Sequence, residues 1–208
     1  VKKELRNILL DALAVDMSAQ GYVLNKSRAE FTKRSSDGWN KFQLLFLDRA
    51  THWEIVPGLL IRKNQVEDIY HKASYYEKNY QKFTPTIGIL VENYTGTSID
   101  SRRELRKPTD VEPCIGELLQ QFNAVALPFY ERFASIKVLE SEINDQNSSG
   151  SLITGPIRKG SLGVILASLV NNPDYEMLKE KYREYYNRFS EGFYLREYEG
   201  VLKVLESS

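Results

Sequence analysis

The spacing of apolar residues changes near residue 100. Before it they alternate in short runs: Phe42, Leu44 and Phe46, then Trp53 and Ile55, then Ile87, Ile89 and Val91. After it they recur at helical intervals: Ile115, Leu118, Leu119, Phe122, Ala126, Phe129 and Phe133. A period of two puts side chains on one face of a sheet, and a period of 3.6 puts them on one stripe of a helix. The pattern predicts an α+β protein: a mainly antiparallel twisted sheet in the N-terminal half, backed by helices, and a helical C-terminal half.

The elements follow in order. Residues 2–18 read as an amphipathic helix with Leu5, Ile8, Leu9 and Ala12 on one face, stopped at Gly21. Residues 22–24 and 29–33 are short strands. Asp37-Gly38 marks a hairpin turn before a strand at 39–47, and the chain returns through 52–61 with a bulge or break at Pro57-Gly58. These loops are too short for parallel crossovers. Asn64 caps a helix at 65–75, a Tyr-rich connector follows, and 86–94 is a further strand; Ile99 falls in an extra strand or a loop. Thr109 and Glu112 fit a capping box, opening a helix to 133 that Pro128 should kink. Ser135 caps a helix to 143. Pro156 opens another, Asn172-Pro173 opens the next, and Gly192 separates a last one ending near Leu205. The polar run from Asn144 to Ser151 is the best internal boundary. The expected organisation is an α+β domain at 1–143, a flexible linker at 144–155, and a helical extension at 156–208 packed on the same unit.

Composition narrows function by exclusion. The 208 residues carry 28 basic and 28 acidic side chains, so the basic footprint of a general nucleic-acid binder is missing and an anionic lipid surface is not favoured. Both nucleic acid and membrane are therefore set aside as partners. Thirteen tyrosines suit half-buried faces and binding surfaces alike. The single cysteine, Cys114, excludes an intramolecular disulfide and a Cys-based zinc site, though at a helix start it could be either a reactive thiolate or a small packed residue. No run approaches the ~18 apolar residues of a spanning helix. The charged N-terminus does not read as a signal peptide, so a cytoplasmic location is the default; a chain starting at Val leaves room for an upstream segment.

Candidate chemistry is sparse, and no catalytic residue, metal ligand or cofactor is assigned. Gly160 to Gly163 follows Arg158-Lys159 at a helix start, which fits anion binding or close helix packing, but the spacing matches no phosphate loop. His52 and Glu54 share a strand face about 7 Å apart, a possible acid–base pair without a nucleophile. His71 follows Asp68 by three residues, an ordinary helical pair. Arg102, Arg103, Arg106 and Lys107 form a basic connector able to grip carboxylate or phosphate, with Glu104 inside it. Trp39 and Trp53, on adjacent strands, are a binding surface if exposed and core if covered by helices.

The order of certain features resembles a loosely defined bacterial α+β family of unknown function. These are the opening helix, Gly21-Tyr22, Phe31-Thr32-Lys33-Arg34, the Trp39 strand, and Leu127-Pro128-Phe129-Tyr130-Glu131-Arg132-Phe133 followed by Ser135-Ile136. The likeness spans about residues 1–143 and supplies no catalytic residues. Some small bacterial α+β domains of this appearance look like immunity proteins, which bind and neutralise a toxin, an analogy at the level of fold. Two functions remain open. One is a non-enzymatic protein-binding module, immunity-type in its specific form, using the sheet face or the 102–107 segment. The other is a small-molecule hydrolase or transferase with a dispersed site near His52 and Glu54.

Overall fold

The computed structural model describes residues 2–97, 101–145, 152 and 156–207. Ile99 and most of the 144–155 stretch lie outside the described residues. The chain has the α+β architecture, with strands in its first half and helices throughout its second. It divides into two compact units interleaved along the sequence: residues 1–61 with 88–131, and residues 62–87 with 132–208.

The first unit is built on the sheet. α1 (Lys2–Ser18) leads into β1 (Val23–Asn25), β2 (Glu30–Ser35), β3 (Gly38–Asp48) and β4 (Trp53–Lys63), which lie side by side in that order. β2 and β3 pair antiparallel across the Ser36-Asp37 turn, with Phe31 opposite Phe42 and Arg34 opposite Trp39. β4 is continuous through Pro57. β6 (Arg103–Leu105) pairs with its residues 53–55, while Gly58 lies beside Ile89 and Leu90 of β5 (Ile87–Leu90). Pro57 therefore falls where one edge of β4 passes from one partner strand to another, a place where a missing N–H is tolerated. The strand expected to reach 94 stops at Leu90. α4 (Val91–Thr95) takes over, which brings Glu92 into the grip of Arg102.

α1 buries Leu5, Leu9, Leu10, Leu13 and Met17, a ridge of i+4 steps, and leaves Ile8 50% exposed. Its core face is thus rotated from the one read off Leu5, Ile8, Leu9 and Ala12. α5 (Val111–Gln121) packs against α1. Its expected capping box does not form. A 3-10 turn at Pro108–Asp110 precedes it, and Asp110 Oδ2 accepts from the N–H groups of Arg106 and Lys107. Between α5 and α6 (Leu127–Arg132) the chain makes a π turn at Phe122–Ala126. The buried residues 114, 118, 122 and 126 are four apart, a spacing that drifts around an α-helix. A wider turn corrects that drift, and it lies just before Pro128, which offers no N–H to the preceding turn. Phe122 then meets Tyr22 edge-on at 5.0 Å and Phe42 at 5.4 Å, and the Tyr130 hydroxyl donates to the Lys41 carbonyl at 2.6 Å. These contacts seat helices on the sheet.

The second unit is helical: α2 (Asn64–Tyr70), the short α3 (Lys78–Gln81), α7 (Ile136–Asn144), α8 (Pro156–Leu169), α9 (Tyr175–Arg188) and α10 (Leu195–Glu206). α8 is buried continuously from Gly160 to Ala167 and contacts α2, α7, α9 and α10, as expected of a helix apolar on all sides. Gly160 and Gly163 let α9 approach: a Cβ on either would lie 2.6–3.0 Å from Tyr182 or Tyr186 atoms. Ser135 caps α7 through the Lys137 N–H at 3.2 Å. Asn172 caps a turn instead of α9, accepting from the Asp174 N–H at 2.8 Å. α2 ends five residues early: the N–H groups of Lys72 and Ala73 reach back only three residues, and that of Tyr75 goes to Glu197 Oε2 at 2.7 Å.

Candidate functional site

The second unit contains a dense polar cluster inside an apolar shell. Glu67 on α2 is fully buried, and Arg158 at the start of α8 donates one Nη to both of its oxygens at 2.7 Å. Thr84 donates to Oε2 at 2.6 Å, His71 Nε2 lies at 3.3 Å and Arg62 Nη1 at 3.6 Å. Burial works to raise the Glu67 carboxyl, but the bonds from His71 and Thr84 and the charge of Arg158 outweigh it and hold the group below its ordinary range. Arg158 also donates to the Pro85 carbonyl at 2.7 Å and lies 4.6 Å from the Tyr70 ring centre. The Tyr70 hydroxyl reaches Glu197 at 2.9 Å, tying α2 to α10. Arg158 is thus not a cation waiting at a helix start for an external anion; Glu67 occupies it.

Segment 62–82 leaves this cluster for solvent and lines a hollow of ≈ 350 Å³ with Arg62, Asp68, His71, Lys72, Lys78, Gln81 and Lys82. Farther along the same unit, exposed and half-buried rings touch in series. Tyr75 meets Phe193 at 5.9 Å, Phe193 meets Tyr194 at 4.9 Å, Tyr194 meets Phe189 at 5.9 Å, and Phe189 stacks on Tyr185 at 5.4 Å. Phe193 is 63% exposed, Tyr75 50% and Tyr185 37%. The backbone that presents them is unusual. Ser190, Glu191 and Gly192 all have positive φ, at 48°, 54° and 80°. Glycine adopts this conformation freely, but each of the other two is strained by about 1–2 kcal/mol. The left-handed turn brings Phe189 and the Phe193-Tyr194 pair into one row.

Apart from His71 and the 158–163 segment, the side chains singled out in the sequence lie in the first unit and are mostly paired within it. Arg102 donates to Glu92 at 2.7 and 2.9 Å and also pairs with Glu54; Arg49 reaches Glu54 at 2.8 Å. Hydrogen bonds from Arg49 and Arg102 hold the Glu54 carboxyl below its ordinary range. Arg103 pairs with Glu117, and Arg106 with Glu104 at 2.6 Å. Lys107 is exposed, its N–H on Asp110. Residues 103–105 are a paired strand, not a loop. His52 lies 3.4 Å from Glu104, so the structure gives His52 and Glu54 different partners. Trp39 is buried under the Lys41 ammonium, 4.3 Å away, and Lys41 in turn pairs with buried Glu30 at 2.9 Å. Trp53 is half-buried and donates to the Lys2 carbonyl at 2.9 Å. Burial, with Glu117 and Asp110 nearby, pushes the Cys114 thiol up to about 11, which keeps it protonated.

Family models, curated proteins and solved structures contain no match to this chain. Among the described residues, no group of three or more His, Cys, Asp or Glu side chains is placed to hold a metal ion, and no helix is long and apolar enough to cross a membrane. The aromatic row is not evident in the sequence, where Gly192 reads as a plain separator between helices. The usable signal was the run Phe189-Ser-Glu-Gly-Phe193-Tyr194, in which bulky rings flank a breaker.

Proposed function

We propose that this chain is a protein-binding module whose contact surface is the row Tyr75, Phe193, Tyr194, Phe189 and Tyr185. The carrying observation is that Phe193 and Tyr75 stand at least half open to water, with Tyr185 exposed and Phe189 and Tyr194 half-buried between them, while two non-glycine residues hold strained backbone to present the row. Strain of this kind clusters at functional sites, and rigid aromatic side chains are the commonest anchors of protein interfaces. Lys181 and Arg188 stand beside Tyr185 and Phe189 with Glu184 as the acidic member, so the row suits a protein strip of apolar residues edged by carboxylates. The resemblance in residues 1–143 adds an immunity-type role, the neutralising of a bacterial toxin, as the specific form of this reading. A hydrolase or transferase site at His52 and Glu54 has less support, since Glu54 is engaged by two arginines and His52 by Glu104.

The test has two steps. Sedimentation across a wide concentration range first asks whether the row binds a second copy. A stoichiometric partner captured by the wild type is then purified and titrated against wild type and Tyr185→Ser/Phe193→Ser. The reading expects a monomer and at least a tenfold loss of affinity in the variant. Self-association abolished by the same variant would replace the foreign partner with a second copy. Equal affinity of the two forms would overturn the surface.

A further inference from the structure

We propose that the hollow formed by Arg62, His71, Lys72, Lys78 and Lys82 is a binding site for a phosphorylated small molecule, with the phosphoryl group seated over Arg62. It is independent of the aromatic row and of any protein partner.

Four cations and an imidazole line a hollow of ≈ 350 Å³ with one carboxylate, Asp68, while buried Glu67 lies behind Arg62 and His71; the volume is at the lower end of small-ligand pockets. In the first unit the arginines Arg102, Arg103 and Arg106 each have a glutamate. Among the described residues Lys72, Lys78 and Lys82 have none within ion-pair distance, yet they converge on one depression. Unpaired like charges brought together repel, and a multivalent anion relieves that repulsion.

The floor is fixed in advance. The Arg62 side chain is only 7% exposed. Its Nε donates to Asn64 at 3.1 Å, and its Nη1 to the carbonyls of Gln81 at 2.7 Å and Thr84 at 2.9 Å. Those bonds lock the plane of the guanidinium. Nη2 has the Asp68 carboxylate at 3.7 Å, beyond hydrogen-bonding reach, and so keeps donor capacity for a ligand oxygen. Burial lowers the Arg62 pKa, against the pull of Glu67 and Asp68, and Arg158 lowers it further. His71 is equally set, with Nδ1 at 2.7 Å from the Ser74 hydroxyl and Nε2 at 2.7 Å from Thr84. A rigid guanidinium below and flexible ammonium groups at the rim form the arrangement that grips tetrahedral oxyanions. Exposed Tyr76, whose ring meets His71 at 5.6 Å, offers an organic moiety a face to rest on.

Calorimetric titration with pyrophosphate and with inorganic phosphate, at fixed ionic strength near 0.15 M, tests the site on the whole chain. Three forms are compared: wild type, Lys78→Ala/Lys82→Ala, and the charge-matched control Lys137→Ala/Lys203→Ala, whose lysines are also exposed on the second unit. Circular dichroism verifies the fold of each. The proposal expects saturable one-site binding, tighter for pyrophosphate, weakened at least tenfold in the first variant and unchanged in the control. No saturable binding to wild type, or equal loss in both variants, would overturn it, the second result marking diffuse attraction to a positive surface. Loss of pyrophosphate binding with the protein partner still bound separates this site from the aromatic row.

Discussion

Arg102 and Arg158 each hold a glutamate by two hydrogen bonds, but the Arg102 side chain is 40% exposed and the Arg158 side chain 7%. The first stands at the end of a sheet among Glu54, Glu92 and Arg49. Water and salt reach the Arg102 and Arg49 side of this network, although the Glu92 side chain is itself only 7% exposed, so the pairing orders a surface more than it decides whether the chain folds. The second is sealed among helices with Glu67, Thr84, His71 and Tyr70. There, no solvent can substitute for a lost partner. The contrast is between ions that neutralise a surface and ions that organise an interior. It explains why the basic segment conspicuous in the sequence offers little open charge, while the quieter second unit holds strained backbone, exposed rings and unpaired lysines.

The largest effect should come from breaking the interior pair. Arg158→Met takes from buried Glu67 its only bidentate partner, leaving Thr84, His71 and the more distant Arg62, and should destabilise the fold by about 3 kcal/mol in urea titration. Arg102→Ala removes the partner of buried Glu92 but opens that carboxylate to water where Arg102 stood, so a clearly smaller loss is expected. If the two variants behaved alike, the distinction between the clusters would fail.

Next in size is packing. Gly160→Ala sets a Cβ 2.6 Å from Tyr186 Cε2 and 3.0 Å from Tyr182 Cβ. Both rings are buried and the helix cannot retreat without opening the core. A loss of about 1–3 kcal/mol is expected in the same titration. An unchanged midpoint would mean that α9 can slide, and that the aromatic row it carries is less rigid than its backbone suggests.

A smaller effect sharpens the electrostatic side. The Glu67 carboxyl lies below its ordinary range when folded, so its contribution is complete above the unfolded value near ~4.3 and is lost as pH falls through the folded value. Wild type should lose stability on acidification below that point, and Glu67→Gln should show a shallower acid limb. Parallel acid limbs would place the sensitive carboxylates elsewhere, with Glu54 and Asp110 the first to examine.

Much of the fold could be read locally. α1, the β2–β3 hairpin around Asp37-Gly38 and the Ser135 cap rest on periodicity or on one side chain meeting a backbone group two or three residues away. What could not be read depended on distant partners. Glu67 and Arg158 are 91 residues apart, and each alone looks like a solvated charge. Glu197 captures the Tyr75 N–H from 122 residues away, beyond the end of α2. The π turn was legible only as an expected disturbance near Pro128. Nothing in composition reveals that Ser190 and Glu191 join Gly192 in left-handed backbone, so the site they shape was hidden as well.

The most direct test is a side-by-side titration of the captured protein partner against Tyr185→Ser/Phe193→Ser and Arg102→Ala/Arg106→Ala, both shown by circular dichroism to be folded. The account predicts at least a tenfold loss of affinity for the first and wild-type affinity for the second. Full binding by the ring variant with loss in the arginine variant would contradict it and return the binding surface to the sheet-bearing unit.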